Sequence, residues 1–245
     1  MVDVHRYHQI SESSHRIMNP LALDRLMLVG EICKLREGVR ILDLACGKGE
    51  MLCQFARRFG TSGVGIDVFS PVLEDARRRA GELRVGKQVE FVQGDASTPP
   101  SEIGSFDVVS CLGASWIGGG LTGTLEIMKD HVEAGGWLLV GDVYWARPPS
   151  VALENRYGQT FADLEGTLDL FEAARVDLVE MVITNLDDWD RYEASQWLNV
   201  SDWLLANPDH EDAAHLRALR GESRRNYLAE ERGTIGWGVF VGRLP

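Results

Sequence analysis

From about position 38 the sequence alternates between short β-branched runs and longer amphipathic stretches. The runs predict strands over 39–45, 62–68, 88–95, 106–113 and 136–145. Amphipathic stretches predict helices over 50–60 and 70–83, and another beginning near Thr122 or Thr124 and ending at Gly135. Alternation of this kind is typical of βαβ units, so the fold class predicted is α/β with a mostly parallel sheet.

The alternation is interrupted after Trp145, where Pro148 and Pro149 indicate a loop. A helix over 167–175 and a strand over 176–185 follow, and the last strand is predicted over 234–243. The segment between these two strands is far longer than the ~2–5 residues of a hairpin loop and has helical periodicity. It therefore predicts a helical cap over one end of the sheet.

The length of 245 residues is compatible with one large domain or a domain with an appended cap, and 44% hydrophobic residues are enough for a real core. We expect a single domain in four parts. These parts are a lid (residues 1–35), an α/β core that binds a cofactor (36–185), a helical cap (186–233) and a last strand (234–245).

The formal net charge of −12 disfavours a nucleic-acid partner, because an acidic chain repels phosphates. Residues 187–232 of the cap alone hold 11 acidic and 6 basic residues, a net charge of −5. No window approaches the ~20 apolar residues of a membrane-spanning helix, and the amino terminus has no apolar leader. We therefore expect a cytoplasmic protein without a membrane partner.

Metal and disulfide sites are not predicted. The four cysteines form no Cys-x-x-Cys pair, which favours buried thiols in a reducing compartment. His5, His8 and His15 lie near the amino terminus, but their spacing lacks the pattern of a metal site.

The strongest local signal is the stretch 43–49, Asp-Leu-Ala-Cys-Gly-Lys-Gly, which lies between the first strand and a helix. Gly47 and Gly49 allow a tight turn that a ligand can approach. Dinucleotide-binding folds use a similar motif, so an NAD-dependent oxidoreductase is an alternative. Leu52 stands where that motif has its third glycine, and Asp43 would repel a pyrophosphate but attract an ammonium group.

Two further acidic residues end the next strands. Asp67 ends the second strand, where a carboxylate can accept both hydroxyls of a ribose. Asp95 and Ala96 end the third strand and could pair with an adenine, although Gly-Asp is also a common turn. Three acidic strand ends suit a ligand with a cationic tail and no phosphates, a description that fits S-adenosylmethionine.

With these residues the chain resembles a class I S-adenosylmethionine-dependent methyltransferase, although Ala45 replaces a common glycine. The resemblance implies a Rossmann-like seven-stranded sheet with an antiparallel last strand, and S-adenosylmethionine as cofactor. Segments 10–20, 113–120, 187–197 and 236–240 resemble a bacterial group of small-molecule methyltransferases. The expected cofactor-binding residues are Asp43, Ala45, Gly47, Gly49, Asp67, Val68, Asp95, Ala96, Cys111, Leu112 and Gly113. Cys111 is also a candidate core residue, because a free cysteine behaves as a small hydrophobe.

The expected reaction is methyl transfer to a small organic molecule by in-line displacement, which needs alignment and desolvation but no covalent nucleophile. Trp116, Tyr144 and Tyr192 are expected to line the substrate chamber. His8 and His15 are candidate general bases because imidazole titrates near neutrality, although each could be an ordinary solvated side chain. A non-catalytic module that only senses the cofactor is a further alternative.

Overall fold

The structure is a computed structural model that describes residues 4–157 and 161–244. Seven strands form one sheet with helices on both faces. The strands are β1 (Arg40–Leu44), β2 (Ser62–Asp67), β3 (Val89–Gln93), β4 (Phe106–Leu112), β5 (Val132–Trp145), β6 (Asp177–Ile183) and β7 (Ile235–Arg243). The α-helices are α1 (Val4–Ser11), α2 (Leu23–Ile32), α3 (Glu50–Phe59), α4 (Ser70–Glu82), α5 (Leu121–Lys129), α6 (Val151–Tyr157), α7 (Leu164–Ala173), α8 (Leu186–Ala206) and α9 (Ala213–Asn226).

The strand order is β3-β2-β1-β4-β5-β7-β6. Strands β1 to β5 pair in parallel, whereas β7 is antiparallel to both of its neighbours. This arrangement confirms the predicted sheet with an antiparallel last strand. Strands β2 and β3 are added on one side of β1, and β4 and β5 on the other, so the strand order reverses between β1 and β4. In open α/β sheets the crevice at the carboxyl ends of the strands next to that point binds ligands.

Both faces of the sheet are buried. Ile41, Val108 and Val239 belong to the hydrophobic cluster on the side of α2 and α3. Leu42, Val109 and Val140 belong to the cluster on the side of α5 and α7. Central strands buried on both faces explain why their sequences are continuous apolar runs.

The predicted boundary before β5 is wrong. Helix α5 ends at Lys129, and β5 begins at Val132 rather than after Gly135. The two glycines that suggested a helix stop instead serve an irregular start of the strand. Gly135 has a φ of +75°, and a Cβ on Gly136 would lie 2.7 Å from the carbonyl oxygen of Asp107.

The cap contains α8, α9 and a π-helical turn over Tyr227–Glu231. It follows the carboxyl end of β6 and precedes the amino end of β7. Because β6 and β5 both run antiparallel to β7, these two ends lie at the sheet edge where the parallel strands terminate. Helix α1 of the lid packs on α8, so the lid and the cap meet over the carboxyl ends of the strands.

Candidate functional site

The loop between β1 and α3 is shaped by three residues in the left-handed region. Ala45, Gly47 and Gly49 have φ values of +55°, +51° and +65°. A Cβ on Gly49 would lie 2.4 Å from the ring of Phe91, so this position requires glycine. At Gly47 the only described atom within 4 Å of such a Cβ is the sulfur of Met18, at 3.3 Å. The loop therefore presents bare main chain to the crevice at Gly47.

Asp43 lies on β1 below this loop and is only 4% exposed. The hydroxyl of Ser110 donates a 2.8 Å hydrogen bond to its Oδ1. Burial raises the pKa of Asp43 from 3.8 to about 7; Asp67 adds to this effect and Ser110 opposes it. No Lys, Arg or His nitrogen in the described part of the chain lies within 4 Å of the carboxylate. The carboxylate would gain from a cationic ligand, which stabilises its ionised form.

Asp67 connects the end of β2 with the glycine-rich loop. Its Oδ2 accepts a 2.9 Å hydrogen bond from the amide of Gly47, and its Oδ1 accepts a 3.0 Å bond from the amide of Phe69. A carboxylate oxygen has two lone pairs, so each oxygen can accept one further hydrogen bond from a ligand. The sequence did not reveal the contact with Phe69, the residue that precedes the first turn of α4.

The predicted residues beyond β3 are more peripheral. Asp95 is exposed and accepts hydrogen bonds from the amide (2.8 Å) and the hydroxyl (2.7 Å) of Ser97, which lower its pKa. Val68 is half exposed, whereas Ala96 is buried in the core. The carboxylate of Asp95 thus caps its own turn in this structure.

The end of β4 contributes main chain to the crevice. Cys111 is fully buried in the core, and burial raises the pKa of its thiol. Leu112 lines the crevice, and its carbonyl oxygen accepts a 3.3 Å hydrogen bond from the side chain of Asn19. Gly113 follows with a φ of +95° and lies 3.8 Å from Asn19, measured from the position a Cβ would take.

The lid covers the crevice from above. Arg16, Ile17, Met18 and Asn19 line the same cleft as Asp43, Ala45, Gly47 and Leu112. Lys48 holds this segment, because its Nζ donates hydrogen bonds to the carbonyl oxygens of Glu12 (2.7 Å) and His15 (2.8 Å). Lys48 had no predicted role, although a lysine between the two glycines of the loop was a visible signal.

The lid is also bound to the cap by buried polar contacts. The carboxylate of Glu12, which is 3% exposed, accepts a 2.8 Å hydrogen bond from the hydroxyl of Tyr192. His15 stacks on Tyr192 with ring centroids 4.7 Å apart. Its Nδ1 pairs with Glu12 and its Nε2 with the hydroxyl of Ser195.

The structure places the two candidate bases, His8 and His15, in different surroundings. Both ring nitrogens of His15 are engaged, so the structure gives it the role of joining the lid to the cap. The ring of His8 is exposed, and His8 does not line the crevice. Neither histidine is therefore positioned as a general base in this structure.

The three predicted aromatic residues do not meet in one chamber. Trp116 is 72% exposed on a short turn after β4. Tyr144 is buried in the core against Phe240, where the absent side chain of Gly236 leaves room for its ring. Tyr192 alone of the three lines an enclosed cavity beside the cap. Proximity to a strand end does not decide which face a side chain occupies, because alternate residues of a strand point in opposite directions.

Within residues 4–157 and 161–244, no group of three or more His, Cys, Asp and Glu side chains is arranged to hold a metal ion. None of the helices in these ranges is long and apolar enough to cross a membrane.

Comparisons with known proteins show the family of this chain. Residues 41–136 match a family described as "Methyltransferase domain". The chain is 40% identical to the "Uncharacterized protein YjhP" of Escherichia coli strain K12, over 98% of each chain. A solved structure of an S-adenosylmethionine-dependent methyltransferase from Thiobacillus denitrificans, in complex with S-adenosylhomocysteine, is 39% identical over 100% of both chains, with a TM-score of 0.92. The chain belongs to the S-adenosylmethionine-dependent methyltransferases.

A second methyltransferase structure, from Geobacter sulfurreducens and also in complex with S-adenosylhomocysteine, gives the same identity, coverage and TM-score. The likeness to all three relatives therefore spans the lid and the cap as well as the core. The cofactor of this methyltransferase is S-adenosylmethionine.

Proposed function

We propose that this methyltransferase transfers the methyl group of S-adenosylmethionine to a small organic molecule, and that the cofactor lies in the crevice between the glycine-rich loop and the lid. The buried carboxylate of Asp43 carries this proposal, because no cation among the described residues pairs with it. The ammonium group of the cofactor would supply that charge. The two relatives in complex with S-adenosylhomocysteine support the choice of cofactor.

The proposed contacts follow from the chemistry of each residue. Asp43 would bind the ammonium group and Asp67 the ribose hydroxyls, because a carboxylate is an acceptor for both. The bare main chain at Gly47 would accommodate the middle of the cofactor. The main chain at Leu112 and Gly113 would border it from β4. Val68, Asp95 and Ala96 stay a prediction for its adenine end.

When bound, the cofactor supplies a methyl carbon that is activated by the sulfonium. A lone pair on the acceptor forms the new bond as the carbon–sulfur bond breaks, and the electron pair of that bond stays on sulfur. The protein then needs to align the acceptor and exclude water. Met18 and Asn19 exclude water, since they lie over the loop, and Lys48 holds their segment in place.

A small acceptor is favoured because the lid and the cap close over the strand ends. Hydrogen bonds from Tyr192 to Glu12 and from Asn199 to the carbonyl of Ser11 join the two segments. The cap is acidic over residues 187–232, whereas a nucleic-acid reader carries a basic stripe.

Methyl-labelled cofactor tests this proposal. The protein is incubated with labelled S-adenosylmethionine and a bacterial extract divided by ultrafiltration into small molecules and macromolecules. We expect label in a small-molecule product that chromatography separates from the cofactor, and no such product with a folded Asp43→Asn variant. Label that enters only RNA or protein would contradict the small-molecule acceptor. Cofactor binding without transfer to either fraction would favour a cofactor-sensing module.

A further inference from the structure

A second cavity, of about 180 Å³, lies between the cap and the end of β5. Aromatic side chains form most of its wall, and they are Tyr157, Phe161, Trp189, Tyr192 and Tyr227. Two carboxylates, Glu193 and Glu231, also line it. We name this cavity the acidic aromatic pocket.

The pocket lies close to the cofactor crevice. Leu112, which lines the crevice, pairs with Gly141 of β5. Val143, which lines the pocket, is two residues further along the same strand, a separation of about 7 Å. Residues two apart on a strand share a face, so crevice and pocket border the same face of the sheet. A molecule in the pocket is therefore placed to reach toward the crevice.

The carboxylate of Glu193 has no compensating charge. Within the described ranges no Lys, Arg or His nitrogen lies within 4 Å of it. Burial raises its pKa to about 7, and the carboxylates of Glu231 and Glu12 add to the effect. Glu231 shares its cation, because Arg156 lies 3.4 Å from its Oε1 and 3.0 Å from a carboxylate oxygen of Glu230. The carboxylates at the pocket therefore outnumber the cations that neutralise them.

The aromatic wall favours a particular kind of cation. The face of an aromatic ring attracts positive charge, and the attraction is largest for ions that lose their water easily. Organic ammonium groups meet this condition.

We propose that the acidic aromatic pocket binds an organic ammonium group of the acceptor substrate, with Glu193 as its counter-ion and the aromatic rings as its wall. The assignment to the acceptor rests on the proposed function, whereas recognition of the cation rests on the pocket alone.

Isothermal titration calorimetry tests this proposal with two matched pairs of probes. Choline is compared with 3,3-dimethyl-1-butanol, its neutral counterpart, and butylammonium with 1-butanol. Each probe is titrated at pH 8 with and without S-adenosylhomocysteine. We expect both cations to bind at least about 10-fold more tightly than their neutral counterparts, as a charge-assisted contact implies.

A Glu193→Gln variant should lose about 10-fold or more of the affinity for both cations and keep its affinity for S-adenosylhomocysteine. Glu222→Gln is the matched control, since Glu222 is an exposed carboxylate on α9 that does not line the pocket. It should change neither affinity. Thermal unfolding of both variants verifies that they are folded.

Two outcomes separate the proposals. If S-adenosylhomocysteine binds but the cations bind no better than the alcohols, or Glu193→Gln binds them equally well, the ammonium pocket is wrong and the proposed function stands. If S-adenosylhomocysteine does not bind, the cofactor crevice is wrong, and preferential binding of the cations would still support the pocket.

Discussion

The hydroxyl of Tyr192 donates a 2.8 Å hydrogen bond to the carboxylate of Glu12, across 180 residues of sequence. This bond joins the cap to the lid above the carboxyl ends of the strands. A buried carboxylate such as Glu12 is costly unless hydrogen bonds compensate for its lost hydration. The contact therefore makes closure of the crevice depend on two segments that are distant in the chain.

Replacing Tyr192 with phenylalanine should lower the free energy of unfolding by about 1–3 kcal/mol, because the buried carboxylate of Glu12 loses a donor. Urea denaturation measures the change. Tyr144→Phe is the control, since no described residue hydrogen bonds to the Tyr144 hydroxyl, and it should change stability less. Equal effects of the two substitutions would show that the contact contributes nothing of its own.

Lys48→Met should weaken binding of S-adenosylhomocysteine about 10-fold, because the lid loses two charge-assisted hydrogen bonds that hold it over the crevice. Calorimetry measures the affinity. Lys87→Met removes the same charge from an exposed site at the opposite edge of the sheet, and its affinity should match that of the unmodified protein. An undiminished affinity in Lys48→Met would mean that the lid closes without this anchor.

Asp67→Asn should weaken binding of S-adenosylhomocysteine by about 10- to 100-fold. The reason is the loss of charge-assisted hydrogen bonds worth about 1.5–3 kcal/mol. The amide oxygen can still accept one of the two main-chain bonds, whereas the NH2 group cannot accept the other, so circular dichroism and thermal unfolding must verify that the variant is folded. A folded variant that binds as tightly as the unmodified protein would remove Asp67 from the cofactor site.

The raised pKa of Asp43 predicts a pH dependence. In the folded protein its pKa is about 7, whereas an aspartate in the unfolded chain has its ordinary pKa of 3.8, so the folded state binds the proton more tightly. The stability that Asp43 contributes is therefore full below about pH 4 and is lost as the pH rises through 7. Relative to the unmodified protein, Asp43→Asn should become steadily more stable over this interval. Urea denaturation at several pH values measures the difference in free energy of unfolding between the two proteins. A difference that stays constant between pH 4 and 7 would contradict the raised pKa.

The same group should couple cofactor binding to pH. An ammonium group favours the ionised form of Asp43, so S-adenosylhomocysteine should bind more tightly as the pH rises from 6 to 8. Calorimetry in buffers of different ionisation enthalpy should detect the proton that is released. The Asp43→Asn variant should bind S-adenosylhomocysteine more weakly and release fewer protons on binding. Proton release that is equal in both proteins would assign it to another group.

Much of the fold could be predicted because it depends on short-range patterns. The β-branched runs fixed the strands, and an acidic residue followed by small residues between β1 and α3 predicted the glycine-rich loop. The boundary before β5 failed because a glycine pair ends a helix in one context and permits an irregular strand in another. In the folded protein the strand leaves no room for a side chain at Gly136, because a Cβ there would lie 2.7 Å from the carbonyl oxygen of Asp107.

The sequence by itself determined the alternation of strands and helices and the motif residues Asp43, Gly47 and Asp67, since these depend on the local order of residue types. The seven-stranded sheet with its antiparallel last strand was implied by the resemblance to methyltransferases. The tertiary structure alone decided what closes the crevice and what lines the second pocket. Lys48 reaches back to Glu12, and Glu193 faces Glu231 from another turn of the cap. Such contacts depend on where segments that are distant in sequence meet in space. The spacing of residues along the chain carries no information about these meeting points.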